Sequence, residues 1–188
     1  MNFNNYEPRR KLFKAIFIDG SFLFHCVQGM SGIRIDYRKL INVLLSQGEH
    51  LQICSYYTAL PNEYDMEEKH RNFIKILKKD VRVRVRSVPL LKSHDMSTEP
   101  NTAPIYTRYS KGEDILLACD LVKGAVMNHF DSATIVTGDA DFIPAVHMAM
   151  DAGKRITVAS FHGSLSHVLE MECSDVIYLD EKLDQIRL

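Results

Sequence analysis

The segment from Ala133 to Val146 constrains the fold more than any other part of the chain. Residues 133–136 are short, apolar and β-branched, the composition of a buried strand. Thr137-Gly138 breaks the strand, and Asp139 and Asp141 occupy the turn. Residues 142–152 then have helical periodicity, with Pro144 in the first turn, where a missing N–H costs little. Strand, tight turn and helix in that order put two carboxylates at the carboxyl end of a strand. In an open α/β sheet that edge is where ligands bind. Paired carboxylates there can share a divalent cation, because hard cations take oxygen ligands. The same aspartates also serve as helix caps and turn formers, so the rest of the chain must decide between the two uses.

Segments of the same kind recur. Residues 11–18 form an apolar run ending in Asp19-Gly20-Ser21, again a carboxylate after a strand. Strands are predicted at 51–59, 81–88, 155–160 and 175–179, and helices at 22–28, from Asp36 (a cap) through Leu45, 64–79, 115–129 and 164–173. In 81–88 valines and arginines alternate, with Arg82, Arg84 and Arg86 on one face, which places that strand at or near a sheet edge. Residues 90–110 show no periodicity and read as a long loop or insertion. Strands alternating with helices predict a doubly wound, mainly parallel sheet between helical layers. The 188 residues suffice for a single domain spanning 1–188, with 1–10 a loose N-terminal arm.

Composition narrows the class. At 46% hydrophobic and 25% charged residues the chain has an ordinary globular balance, and no apolar run reaches the length of a membrane span. The polar first ten residues lack a signal-peptide core, so a cytoplasmic location is expected. Cys26, Cys54, Cys119 and Cys173 form no C-x-x-C pair and lie in or beside apolar segments, as buried free thiols do. The net charge of −1 excludes a global basic field, so any nucleic-acid contact must be local.

Carboxylates come from three segments: Asp19 after the first strand, Asp114 at the start of the 115–129 helix, and Asp139 with Asp141. They converge if the 11–18 and 133–136 strands are neighbours. Carboxylates crowded in one cleft stay ionised only with cations present, and Mg²⁺ or Mn²⁺ fits that need. Asp120 lies amid apolar residues of the same helix and requires either a basic partner or coordination. Glu113 and Asp120, seven residues apart, share a helix face, with Asp114 directed elsewhere.

Three motifs in order, Ile16-Phe17-Ile18-Asp19-Gly20-Ser21, Lys111-Gly112-Glu113-Asp114-Ile115-Leu116-Leu117-Ala118-Cys119-Asp120 and Thr137-Gly138-Asp139-Ala140-Asp141-Phe142-Ile143-Pro144, resemble the NYN-domain family, in its LabA-like branch of the PIN-like ribonuclease superfamily. The resemblance extends through 153–158 and 164–175. It implies a PIN-like three-layer α/β/α sandwich with a mainly parallel sheet and metal-dependent ribonuclease chemistry. It also implies metal ligands at Asp19, Asp114, Asp139 and Asp141, with Asp120 in a supporting role. Phe22 departs from the family's pattern, which commonly has Asn there.

On this reading the chain is an Mg²⁺- or Mn²⁺-dependent ribonuclease. Ser21, Lys111, Thr137, Arg108 and Lys154 are candidates for substrate contact, and Tyr106 and Tyr109 could stack on unpaired bases. The partners expected are RNA and a second copy of the chain, and no membrane. The alternative is a catalytically degenerate RNA- or protein-binding regulatory module that retains the acidic cleft. A phosphatase with Asp19 as nucleophile needs an acidic residue at the position of Ser21 and is disfavoured.

Overall fold

Alternating side chains of one strand seed both cores of the protein. In β1 (Leu12–Asp19), Ile16 and Ile18 face one layer of helices while Ala15 and Phe17 face the other, the period-two rule of an extended chain. The computed structural model describes residues 11–30, 33–60, 68–80, 82–89, 91–94, 106–109 and 112–188. Around β1 the chain builds β2 (Glu49–Leu60), β3 (Val83–Pro89), β6 (Ser132–Val136), β7 (Arg155–Ser160) and β8 (Asp175–Tyr178), with β4 (Leu91–His94) and β5 (Tyr106–Tyr109) apart from them. The helices are α1 (Gly20–Gln28), α2 (Tyr37–Leu44), α3 (Glu68–Lys79), α4 (Glu113–Val126), α5 (Ile143–Asp151), α6 (His167–Glu172) and α7 (Leu183–Ile186).

The six-stranded sheet has the order β3-β2-β1-β6-β7-β8, and every pairing is parallel. The expected adjacency of the first strand and the 133–136 strand is present, with Ile18 opposite Val136. The chain winds outward from β1 through β2 and β3, and the other way from β6 through β7 and β8. The boundary between β1 and β6 is therefore a topological switch point, and their carboxyl ends open side by side.

Leu23, Leu40, Ile41, Leu44, Ile74 and Ile186 cover one face of the sheet. Leu117, Leu121, Ala125, Val146, Ala149 and Leu169 cover the other, completing the three-layer α/β/α sandwich. Each fully buried leucine contributes about 1.5–3 kcal/mol of transfer free energy. Asp36 caps α2 as expected, its carboxylate accepting the N–H groups of Arg38 and Lys39, an arrangement worth about 1 kcal/mol. At the opposite edge of the sheet from the switch-point opening, Lys14 Nζ and Ser132 Oγ donate to Glu49 at 3.0 and 2.8 Å. Burial alone raises the Glu49 carboxyl, but these bonds and the Ser46 N–H outweigh it and hold it below its usual value. Among the described residues no helix is long and apolar enough to cross a membrane.

Several expectations change. Within the 90–110 stretch, β4 and β5 pair antiparallel, Leu91 opposite Tyr109 and His94 opposite Tyr106. Two four-residue strands are too short to show a period. The predicted 164–173 helix begins only at His167. Before it, the Ser164 and Leu165 N–H groups bond the Phe161 carbonyl and the Ser166 N–H bonds Gly138. Of the four cysteines, all free, only Cys54 is buried, and Cys119 is exposed on α4. The edge position expected for the arginine-rich strand is that of β3.

Candidate active site

The switch-point opening is lined by oxygen. Asp19 ends β1 and caps α1, with Oδ1 accepting the Phe22 N–H at 2.9 Å and Oδ2 accepting Thr137 Oγ1 at 3.2 Å. Its residue is 6% exposed. Burial raises its carboxyl, the two hydrogen bonds oppose this, and the charges of Glu113 and Asp139 push it further up, for a net rise. Thr137 is fully buried, and its Oγ1 also accepts the Asp139 N–H at 3.3 Å. Asp139 in turn caps a short 3₁₀ turn (Ala140–Phe142) by accepting the Asp141 N–H at 2.9 Å.

Two glycines let these turns close. A Cβ on Gly20 would sit 2.4 Å from the Tyr56 ring and from the Tyr57 carbonyl oxygen. A Cβ on Gly138 would sit 1.9 Å from the Ser164 carbonyl oxygen and 2.8 Å from the Phe22 ring. Phe22 thus packs beside the Asp139 turn, with its ring 6.4 Å from that of Phe161.

The start of α4 supplies the third segment. The Asp114 carboxyl is raised to about 6, first by desolvation and then by the charges of Asp19, Glu113, Asp139 and Asp141. The residue is exposed, yet it stands in the field of the other carboxylates. Asp19, Asp114, Asp139 and Asp141 are therefore brought into one neighbourhood. Glu113, which sequence reasoning placed on the Asp120 face, belongs to it as well. It is 2% exposed, and its Oε1 accepts Ser21 Oγ at 2.9 Å. Among the described residues, Glu113 Oε2 is buried with no hydrogen-bond partner. Its sole sequence signal is its place beside Asp114.

Other expected residues lie elsewhere. Asp120 has the basic partner: Arg86 reaches it at 3.0 Å and 3.3 Å, and Tyr57 donates to it at 2.9 Å. Those three bonds occupy both its oxygens, which removes the need for coordination. Lys154 lies apart from the carboxylates. It precedes β7, so it sits at the amino-terminal edge of the sheet, buried, with Nζ bonded to Asn128. A substrate at the carboxyl-terminal edge is on the other side of the sheet. Ser21 and Thr137 each steady a carboxylate. Arg108, Tyr106 and Tyr109 lie in β5, where only the backbone is described, and Lys111 falls outside the described residues. Arg84 is exposed on β3, and Arg82 bonds and pairs with Asp80.

Among the described residues no group of three or more His, Cys, Asp or Glu side chains stands ready to hold a metal ion. The donor set nevertheless fits a hard divalent cation. It is all carboxylate, burial and then neighbouring charges raise Asp19 and Asp114 within it, and among the described residues it includes a buried oxygen lacking a partner.

Comparison with known proteins agrees with the fold. A protein of unknown function from Vibrio parahaemolyticus is similar in structure, with a TM-score of 0.72 at 21% identity over 96% of this chain and 98% of that one. No curated protein matches the sequence. The sequence pattern of the NYN domain, a PIN-like nuclease-type domain, matches residues 14–180, which covers every carboxylate described above. The chain belongs to the NYN domain family.

Proposed function

We propose that the protein is a metal-dependent ribonuclease of the LabA-like kind, a single NYN domain in which Asp19, Asp114, Asp139 and Asp141 hold Mg²⁺ or Mn²⁺. The observation that carries this reading is the convergence at the β1/β6 boundary of carboxylates from the end of β1, the turn after β6 and the start of α4, where burial first and then the neighbouring charges raise the Asp114 carboxyl. A fold that gathers like charges at a switch point loses stability by doing so, and it gains only when a cation or a transition state needs them. The bound metal would neutralise a phosphodiester and lower the pKa of a water for in-line attack.

The chain's own residues do the rest. Thr137 and the Phe22 N–H fix Asp19 so that its carboxylate cannot swing away from the opening. The Asp139 cap holds Asp141 at the mouth, where both are exposed. Arg84, Arg108 and Lys111 are this proposal's candidates for phosphate contact, with Tyr106 and Tyr109 stacking on unpaired bases. The four free cysteines suit the reducing cytoplasm in which such an enzyme meets RNA.

The test is cleavage of a labelled, partly structured RNA with Mn²⁺ or Mg²⁺, wild type against Asp139→Asn. Metal-dependent cleavage lost in the variant supports the reading. Cleavage that survives the substitution in a clean preparation refutes the ligand assignment.

A second reading is favoured by Phe22, whose ring occupies the position beside Gly138 where the family commonly carries an amide. It is a non-catalytic module that binds RNA through the same opening. Wild-type protein that binds RNA and is stabilised by metal, yet cleaves nothing, selects it.

A further inference from the structure

We propose that Glu113 is a fifth carboxylate of this centre, that its Oε2 is a ligand for the divalent cation, and that Ser21 is the positioning residue that aims it. The inference rests on the acidic-site reading above and extends it to a pair outside the four aspartates.

Internal carboxylates in this chain are otherwise well satisfied. Glu49 takes bonds from Lys14, Ser132 and the Ser46 N–H. Asp120 takes Arg86 and Tyr57. Asp80 takes Arg38 and the Arg82 N–H. Glu113 is more buried than any of these, yet among the described residues only one of its oxygens is bonded. A buried carboxylate oxygen is retained when it is paired or coordinates a metal.

The direction of the side chain is fixed from outside its own helix. Ser21 follows Asp19 by two residues, and the intervening Gly20 is pressed against Tyr56 and Tyr57 too closely for any side chain. The turn that presents Asp19 therefore also presents the Ser21 hydroxyl, which occupies Glu113 Oε1 at 2.9 Å. That bond, made by a residue two positions after Asp19, holds the Glu113 carboxylate against the turn that carries Asp19. An oxygen-only donor set of this kind suits a hard divalent cation. Ser21 then has the role of an outer residue that orients a ligand, a class whose loss costs about 10–100-fold in metal affinity.

The experiment is Mn²⁺ titration followed by electron paramagnetic resonance, with melting in EDTA, on wild type, Glu113→Gln, Ser21→Ala and Asp139→Asn. The glutamine keeps the shape and can keep the bond from Ser21 through its amide oxygen, while it removes the charge and puts a non-ligating NH2 where Oε2 stands. The expected result is Mn²⁺ affinity lowered about tenfold or more in Glu113→Gln and in Ser21→Ala, with the metal-free melt of Glu113→Gln at or above that of wild type. A purely structural Glu113 gives the opposite pattern, a lower metal-free melt and unchanged Mn²⁺ affinity, and overturns the proposal. Loss of binding in Asp139→Asn alongside unchanged binding in Glu113→Gln removes Glu113 from the ligand set and leaves the acidic site standing. Absence of Mn²⁺ binding by wild type sinks both readings. Should Glu113→Gln fail to fold, Ser21→Ala decides, since unchanged affinity there refutes the positioning role.

Discussion

Thr137 Oγ1 donates to Asp19 Oδ2 across 3.2 Å and so ties the carboxyl ends of the two central strands to each other. The same oxygen accepts the Asp139 N–H, so one hydroxyl holds two acidic turns in register. Thr137→Val keeps the shape and removes both bonds. The buried Asp19 oxygen is then left without its donor, a cost of about 1–3 kcal/mol. Urea denaturation should show that loss, and Mn²⁺ affinity should fall with it.

Asp114 gives a pH dependence with a definite sign. Its folded-state pKa, about 6, lies above the ordinary 3.8, so in the metal-free protein the folded state binds more protons than the unfolded chain between those values. The associated stability is fully present below about 3.8 and is lost as pH rises through about 6. Asp114→Asn should therefore raise the melting temperature in EDTA at neutral pH, and the gain should shrink as the pH falls below the folded-state value. A gain that is the same across the range would contradict the crowding seen around this carboxyl.

The pairing of Arg86 with Asp120 predicts a purely structural phenotype. Both side chains are partly exposed, at 37% and 27%, so Arg86→Gln should cost only about 1 kcal/mol in denaturant. Mn²⁺ affinity should be unchanged, as measured by the same titration. A marked loss of metal binding would return Asp120 to the ligand set.

Gly138→Ala tests the close approach between the acidic turn and the segment before α6. Its Cβ would meet the Ser164 carbonyl oxygen at 1.9 Å, and the Gly138 carbonyl itself accepts the Ser166 N–H at 2.9 Å. The backbone must move, at a cost of about 1–3 kcal/mol by the measure of an overpacked core. Equilibrium unfolding should show the loss, and cleavage should fall further than stability because Asp139 and Asp141 move with the turn.

Sequence alone determined what depends on local period and turn chemistry. The apolar runs of β1 and β6, the alternation of valine and arginine in β3, and an aspartate after each central strand follow from side-chain spacing that any extended or helical segment obeys. The position of Lys154 was legible by the same logic, since a residue that precedes a parallel strand lies at its amino-terminal end. Tertiary structure decided the partners. Whether Asp120 met a cation or a metal depended on Arg86, 34 residues away on a different element. Whether Glu113 turned inward depended on a hydroxyl 92 residues earlier. The ribbon of β4 and β5 depended on pairing between two segments too short to show a pattern alone. Charged side chains are long and each has several possible partners, so their direction is set by which neighbours the fold brings within hydrogen-bond reach. Apolar periodicity is set by the backbone itself.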